Sequence, residues 1–276
     1  EPADPDVPTI LERAGRYVLE YEERFSRIVA EETYTQRVET QPPKRRVTRA
    51  DMVFVRLAGD VPWTSFRDVF EVDGHEVRER DARLERLFVD EHPSAAERAR
   101  AILEESGAYN LGPATRTVNI PTLPLTFVHP DNQHRFAFER GSTRRIAGVE
   151  GVELRFVEVA QPTIVRRDGA GDLPARGRVW VDPSLGTVLR TEVRFDFALA
   201  LGIPSQASLS AEYRPARELG MWVPVEMIER YEDLNRRQHF FGSTVVATAR
   251  YSNYRTFSVT VGTEVRGAEE QGPPRR

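Results

Sequence analysis

Cysteine is absent from the chain, which removes disulfides, thiolate chemistry and cysteine-ligated zinc together. Lysine is almost absent: Lys44 stands alone, and every other cationic side chain is arginine. Genome composition is the simplest reading of that bias. No run approaches the roughly 18 apolar residues a membrane span requires, so a membrane-spanning helix is not expected. There is no basic block either. Acidic and basic residues are interspersed under a formal net charge of -4, so nucleic-acid binding is not expected.

The signatures of catalysis are missing in the same way. No Ser lies in a Gly-x-Ser-x-Gly elbow, and neither GxxxxGK[ST] nor GxGxxG occurs. Glycoside hydrolysis uses two carboxylates that converge only in the fold, and with 43 acidic residues the letters single out no pair. Of the histidines His75, His92, His129, His134 and His239, the close pair lies in HPDNQH, with Asp131 between His129 and His134. Imidazole and carboxylate suit zinc or iron. A polar turn explains the same letters, and the expectation is a protein without metal, cofactor or enzymatic activity.

What is present is periodicity. The length of 276 residues allows one large β-rich domain or two smaller ones; one is preferred, over 1–260, followed by a flexible polar tail over 261–276. The loose, Pro-rich opening EPADPDVP, without Met, is what an exported protein looks like after its leader is removed, and a trimmed chain would look the same. In VPTILERAGRYVLEYEERFSRIVAEE, residues Ile10, Leu11, Ala14, Tyr17, Val18, Tyr21, Phe25, Ile28 and Val29 recur at helical spacing. This predicts a long amphipathic helix starting near Asp6 and Pro8 and packing on the protein's own sheet.

From Glu32 the period becomes two. ETYTQRVET, VTRADMVFVRLAG and WTSFRDVFEVDG read as antiparallel strands with a turn at Asp73-Gly74. In the third, Phe66, Phe70 and Val72 share the expected buried face, and Ser65, Arg67 and Glu71 the wet one. ARLERLFVD and HPSAAERARAILEESGAYNLG predict helices. TVNIPTLPLTFVHP carries Pro121, Pro124 and Pro130, which suit an edge loop or an apolar flap better than a central strand; the edge loop is preferred.

The second half is strand and turn: HRFAFERG, GVELRFVEVA, GRVWVDPSLGTVLRTEVRF, a run through FDFALALGIPSQASLSAEYRP, then MWVPVEMIERYED and STVVATARYSNYRTF, with RRDGAGDLPARG as a flexible loop. Leu189, Val193, Phe195, Phe197, Leu199 and Leu201 share one parity. Arg190, Glu192, Arg194 and Asp196 share the other, and a break is expected at Gly202-Ile203-Pro204. Such an apolar strand face, imperfectly covered, leaves a greasy cavity.

The hairpin GRVWVDPSLGTVLRTEV resembles the Gly-x-(Ile/Val)-Trp-(Ile/Val)-Asp-Pro-x-x-Gly-x-(Ile/Val) hairpin of the periplasmic lipoprotein-carrier superfamily, the LolA/LolB-like half-barrel. Gly177, Trp180, Asp182, Pro183 and Gly186 match it, and WVPVEM resembles the later Leu-Pro strand, with Val223 in place of Leu. The letters also have a structural reason, since Asp-Pro and Gly set a turn and Trp packs under the sheet.

The resemblance implies an α+β fold: a curved antiparallel sheet, half-open as a barrel, with a long N-terminal helix and inserted helices over its concave face. It implies lipid or acyl-chain binding in a periplasmic or secreted protein, and no catalytic residue. The candidate cavity residues are Phe66, Phe70, Phe136, Phe138, Val193, Phe195, Phe197 and Leu199. The expected partner is a hydrophobic small molecule or lipid, with another cell-envelope protein as the second possibility. The alternative is an envelope scaffold or sensor domain with a self-filled core.

Overall fold

Asp6 starts the N-terminal helix α1 (Val7–Phe25): its carboxylate accepts a 3.0 Å hydrogen bond from the Thr9 amide, and Pro8 sits in the first turn. The computed structural model that shows this describes residues 4–26, 28–55, 64–80, 102, 104–111, 116, 119–167, 171–198, 204–233 and 244–256. The apolar stripe of α1 buries Ile10, Ala14, Val18, Tyr21 and Phe25. Ile28 and Val29, which continue the helical spacing, instead begin strand β1 (Ile28–Val38). They are paired on both sides, Ile28 with Thr256 and Val29 with Arg255 and Val53, and β-branched side chains favour that setting over a helix end.

The strands that follow are β2 (Lys44–Val55), β3 (Thr64–Val72), β4 (His75–Glu76), β5 (Phe136–Ile146), β6 (Val149–Glu158), β7 (Arg166–Arg167), β8 (Gly171–Asp172), β9 (Ala175–Val181), β10 (Val188–Ala198), β11 (Pro204–Ala216), β12 (Met221–Asp233) and β13 (Val245–Thr256). Ten of them join β1 in one curved antiparallel sheet of eleven strands, in the order β4-β3-β2-β1-β13-β12-β11-β10-β9-β6-β5, with β4 and β5 as its edges. The fold is the expected α+β, open-barrel type. β7 and β8 form a separate two-stranded ribbon within the segment expected to be a flexible loop. The expected helix ARLERLFVD and the tail over 261–276 lie outside the described residues, as does most of the second expected helix, of which 104–108 are helical.

Turn chemistry sets the hairpins. Asp73 and Gly74 both have positive φ, 50° and 84°, as a type I′ turn demands. At the tip between β9 and β10, Asp182 Oδ1 accepts from the Ser184 amide at 2.8 Å, the Ser184 hydroxyl at 2.6 Å and the Leu185 amide at 3.3 Å. Gly186 follows at φ 75°. A Cβ on Gly186 would overlap the backbone of Arg13, so the tip rests directly on α1, where Arg13 donates to the Pro183 carbonyl at 2.5 Å. The hairpin therefore positions the helix over the sheet.

One sheet face, here called inner, carries the main core with α1. β10 delivers Thr191, Val193 and Phe195 to it, while Arg194 and Asp196 are exposed, as the period-two reading expects. Leu189 departs from that reading. A register shift between Val188 and Arg190 turns it to the outer face, where it packs with Ile146 and Trp180. Trp180 is thus 3% exposed yet lies opposite the main core, beneath the Arg178 and Arg190 guanidinium groups.

Candidate functional site

The inner face divides into two halves. Toward β5, β6, β9 and β10 it is apolar and rich in phenylalanine. Phe136 and Phe156 meet edge-on with ring centroids 5.8 Å apart, and Phe127 lies 5.2 Å from Phe136 and 5.5 Å from Phe156. Val193 and Phe195 are buried in the same core, with Phe138 and Phe197 packed against it and partly buried. Of the candidate cavity residues, the structure thus brings together Phe136, Phe138, Val193, Phe195 and Phe197. Leu199 lies outside the described residues.

Phe66 and Phe70 belong elsewhere. The register sets Phe66 opposite Val53 on the outer face, and Arg67 opposite Met52 on the inner one. A bulge between Ala50 and Arg49 displaces Phe70, which lies under the guanidinium groups of Arg49 and Arg80. Both phenylalanines are buried, but on the face opposite the core. The assignment of Phe66 and Phe70 to the inner face and of Arg67 to water is therefore corrected, and the physical reason is Glu32. That carboxylate is fully buried on the inner face of β1 and binds Arg67 through two contacts, at 2.6 and 3.2 Å.

Over the apolar half lies the segment 119–133, with short helices at Leu125–Val128 and Pro130–Gln133. It is not the edge loop expected from its prolines. Ile120, Leu123, Leu125, Phe127 and Val128 are all buried, so it is a cover laid on the sheet. Tyr213 donates to the Pro121 carbonyl at 2.6 Å, and Gln133 donates to the Leu11 carbonyl at 2.9 Å. α1 approaches the cover so closely at Gly15 that a Cβ would come within 2.8 Å of Gln133 Nε2. Yet Thr122 Oγ1, Thr126 Oγ1 and His129 Nε2 are buried without a hydrogen-bond partner among the described residues. His129 Nε2 stands 3.6 Å from the Glu22 carboxylate.

The other half, toward β2, β1, β13 and β12, sets a buried polar cluster among apolar core residues such as Met52, Met227 and Val245. Tyr34 donates to Glu229, whose second oxygen accepts from Tyr231 at 2.7 Å. Arg116 donates to the Tyr34 hydroxyl at 2.6 Å and to Gln36 at 2.7 Å, and stands 3.7 Å from Glu229. Arg67, besides binding Glu32, donates to the Asn119 carbonyl at 2.9 Å. Burial alone would favour neutral Arg67, but the Glu32 charge outweighs it and holds the guanidinium well above its ordinary pKa. Burial, and then the Glu229 charge, push Tyr34 and Tyr231 well above the usual tyrosine value. None of these residues was singled out from sequence. Glu32, Tyr34 and Gln36 do share one strand parity, as do Met227, Glu229 and Tyr231, so carboxylates alternating in phase with core residues were the available signal.

His129 is buried, and its Nδ1 accepts from the Asp131 amide at 3.2 Å, while Asp131 and His134 are exposed. Among the described residues no group of three or more His, Asp or Glu is placed to hold a metal. No described helix is long and apolar enough to cross a membrane.

On the outer face, strands β5 to β12 carry an open groove of about 610 Å³, lined by Arg155, Arg176, Arg178, Arg190, Arg194 and Arg230 together with Glu139, Glu192, Ser208, Ser210, Val157 and Ile228.

No family model matches the chain, and no curated protein matches it. Among solved structures it is similar to an outer-membrane lipoprotein-sorting protein domain from Vibrio parahaemolyticus, at 12% identity and TM-score 0.39 over 92% of this chain and 94% of the other. It is similar to a LolA-superfamily protein from Nitrosomonas europaea, at 13% identity and TM-score 0.37 over 93% and 96%. It is also similar to a DUF1329-family protein from Desulfovibrio piger, at 12% identity and TM-score 0.39 over 91% and 92%. These likenesses name no ligand for this chain.

Proposed function

We propose that this chain is a non-catalytic binding protein whose ligand is a hydrophobic small molecule or an acyl chain, lodged between the phenylalanine half of the inner face and the 119–133 cover. The observation that carries the reading is the cover itself. Its apolar side chains lie on a phenylalanine floor, while the Thr122 and Thr126 hydroxyls are buried there without a hydrogen-bond partner among the described residues. Apart from the Tyr213 hydrogen bond to the Pro121 carbonyl, floor and cover are joined by non-directional contacts that an acyl chain reproduces. Lifting the cover re-hydrates the orphaned groups and offsets part of the apolar surface exposed. The hairpin resemblance supports a lipid as the ligand and the periplasm or the exterior as the compartment.

The second reading is an envelope scaffold or sensor that works through protein contacts. It is favoured by the mutual packing of Phe127, Phe136 and Phe156, which fills the floor with the protein's own rings. A fluorescent fatty-acid probe decides between them. Saturable uptake by the purified protein, with native mass spectrometry showing a bound species that organic extraction removes, is the carrier's result. Absence of uptake at any probe concentration below micelle formation leaves the scaffold.

A further inference from the structure

We infer that the ribbon joining β6 to β9 is a strap over one end of the phenylalanine half, latched by the Glu158 carboxylate and released as that carboxylate ionises. The inference deepens the carrier reading, and only the strap's part in ligand entry rests on that reading. Val152, Leu154, Phe156 and Glu158 share the inner parity of β6, so a buried carboxylate ends an otherwise apolar row. Glu158 stands opposite Phe136 on β5, and Ala175, which opens β9, stands opposite Phe195 on β10. The ribbon therefore leaves and rejoins the sheet beside the rings of the floor.

Within itself the ribbon is closely tied. Thr163 donates from its amide to Asp172 at 3.1 Å and from its hydroxyl to the Val165 carbonyl at 2.7 Å, while the Leu173 amide donates to the Thr163 hydroxyl at 2.8 Å. Arg166 pairs with Asp172 at 3.5 Å, beside the pairing of β7 with β8. Its hydrogen bonds to the rest of the chain are few. Among the described residues, the Ile164 and Ala175 amides donate to the two Glu158 oxygens at 2.7 and 3.1 Å, and Arg135 donates to the Pro162 carbonyl. At the ribbon's base, the Val159 and Ala160 amides donate to the Arg135 carbonyl at 2.9 and 3.2 Å. Leu173 is buried in the main core, with Ile164 and Val165 packed against it. A unit rigid within itself and hydrogen-bonded to its surroundings through two residues opens as one body.

Glu158 is the tie that protonation controls. Burial raises its pKa above the ordinary glutamate value, and the Asp172 charge adds to the rise; the Ile164 and Ala175 amides and the Arg135 guanidinium, 3.9 Å away, pull the other way without cancelling burial. The charged groups that face it are thus Arg135, from the stretch after the cover, and Asp172, with its partner Arg166, from the ribbon itself. Phe136 on β5 and Ala175 on β9 carry no charge. Lifting the strap hydrates the carboxyl and returns it to its ordinary value. The seated strap therefore keeps a proton that the lifted one has released, so seating is fully stable below the ordinary glutamate value and weakens as pH rises through the raised one. Acid seats the strap and rising pH loosens it.

The test follows amide hydrogen exchange by NMR, expressed as protection factors, from about pH 4 to about pH 8. Protection of the Ile164 and Ala175 amides, relative to that of the fully buried Met227 on β12, is expected to fall at least about threefold over that range. Glu158→Gln is expected to abolish the change. Asp172→Asn, which keeps an acceptor for the Thr163 amide, is expected to move it to lower pH. Glu158→Ala is expected to leave both amides weakly protected throughout and to speed entry of the uncharged dye Nile red at least about threefold in acid. Should Glu158→Ala melt early, Glu158→Gln and Asp172→Asn decide alone. Protection independent of pH in the unaltered protein, a change that survives in Glu158→Gln, or an unmoved change in Asp172→Asn would each overturn the inference. The expected protection pattern without any uptake of Nile red would support the strap and count against the carrier reading alone.

Discussion

The two halves of the inner face are equally dry and are held in opposite ways. On the Phe127 side, rings and aliphatic groups touch without directional constraint, and the cover above them leaves polar groups orphaned. On the Glu32 and Glu229 side, arginine, tyrosine and glutamine lock one another into fixed positions across β1, β12, β3 and the segment that carries Arg116. Dispersion contacts are interchangeable with those of an apolar guest, whereas a charge-assisted network tolerates no substitute lacking its donors and acceptors. One half of the sheet is thus held by exchangeable contacts and the other by fixed ones, and the proposed ligand would lie in the first.

Alkali gives the largest effect and attacks the rigid half. Tyr34, Tyr231 and Tyr251 are buried, with burial the leading cause of their raised pKa values. A folded pKa above the unfolded one means that the native state retains protons the unfolded chain has released. Stability is then fully present below the ordinary tyrosine value of 10.0 and declines as pH rises past it. Tyrosinate absorbance should accordingly appear in one cooperative step together with loss of circular dichroism. Gradual titration of these tyrosines within a still-folded protein would show that the polar half is open to water.

Breaking the network directly comes next. Arg67→Ala leaves the Glu32 carboxyl buried without its guanidinium partner, and should lower stability by about 3–5 kcal/mol in urea unfolding. Arg67→Met/Glu32→Leu should recover most of that. A near-neutral Arg67→Ala would mean that the pair is not what fixes this half.

Phe127→Ala, in the exchangeable half, should cost a similar or slightly smaller amount, about 3–4 kcal/mol. The difference lies in rescue. Benzene or a short fatty acid should raise the melting temperature of Phe127→Ala and leave that of Arg67→Ala unchanged, because a dry apolar cavity accepts an apolar guest. Equal rescue of both variants would erase the distinction between the halves.

Trp180→Ala removes a buried ring from the small outer cluster with Ile146 and Leu189 and should cost about 3 kcal/mol, with fatty-acid probe affinity retained in the folded fraction. Loss of binding without loss of stability would give the hairpin a ligand role in place of a structural one. The smallest expected effect separates neighbours on β10. Phe197→Asp should abolish probe uptake with little change in melting, because Phe197 is only partly buried, while Asp196→Ala, on the wet face, should leave uptake nearly intact. Equal loss from both would mean that β10 does not present two distinct faces.

The sequence by itself determined the local rules. Asp6 and Pro8 mark the helix start, Asp73-Gly74 and Asp182 to Gly186 set two turns, and the alternation of Val193, Phe195 and Phe197 with Arg194 and Asp196 orients β10. Each depends on backbone dihedrals or on a period that a few neighbouring residues fix. Tertiary structure decided which face of β3 is inner, because Arg67 turns inward only where Glu32, 35 residues away, supplies a buried counter-charge. It decided the side on which Leu189 lies, because a register shift inverts parity downstream of itself. It also turned a proline-bearing segment that reads as an edge loop into a cover. Faces, bulges and covers are settled by partners distant in sequence, and the free energy of a buried charge or an apolar surface exists only once those partners have met.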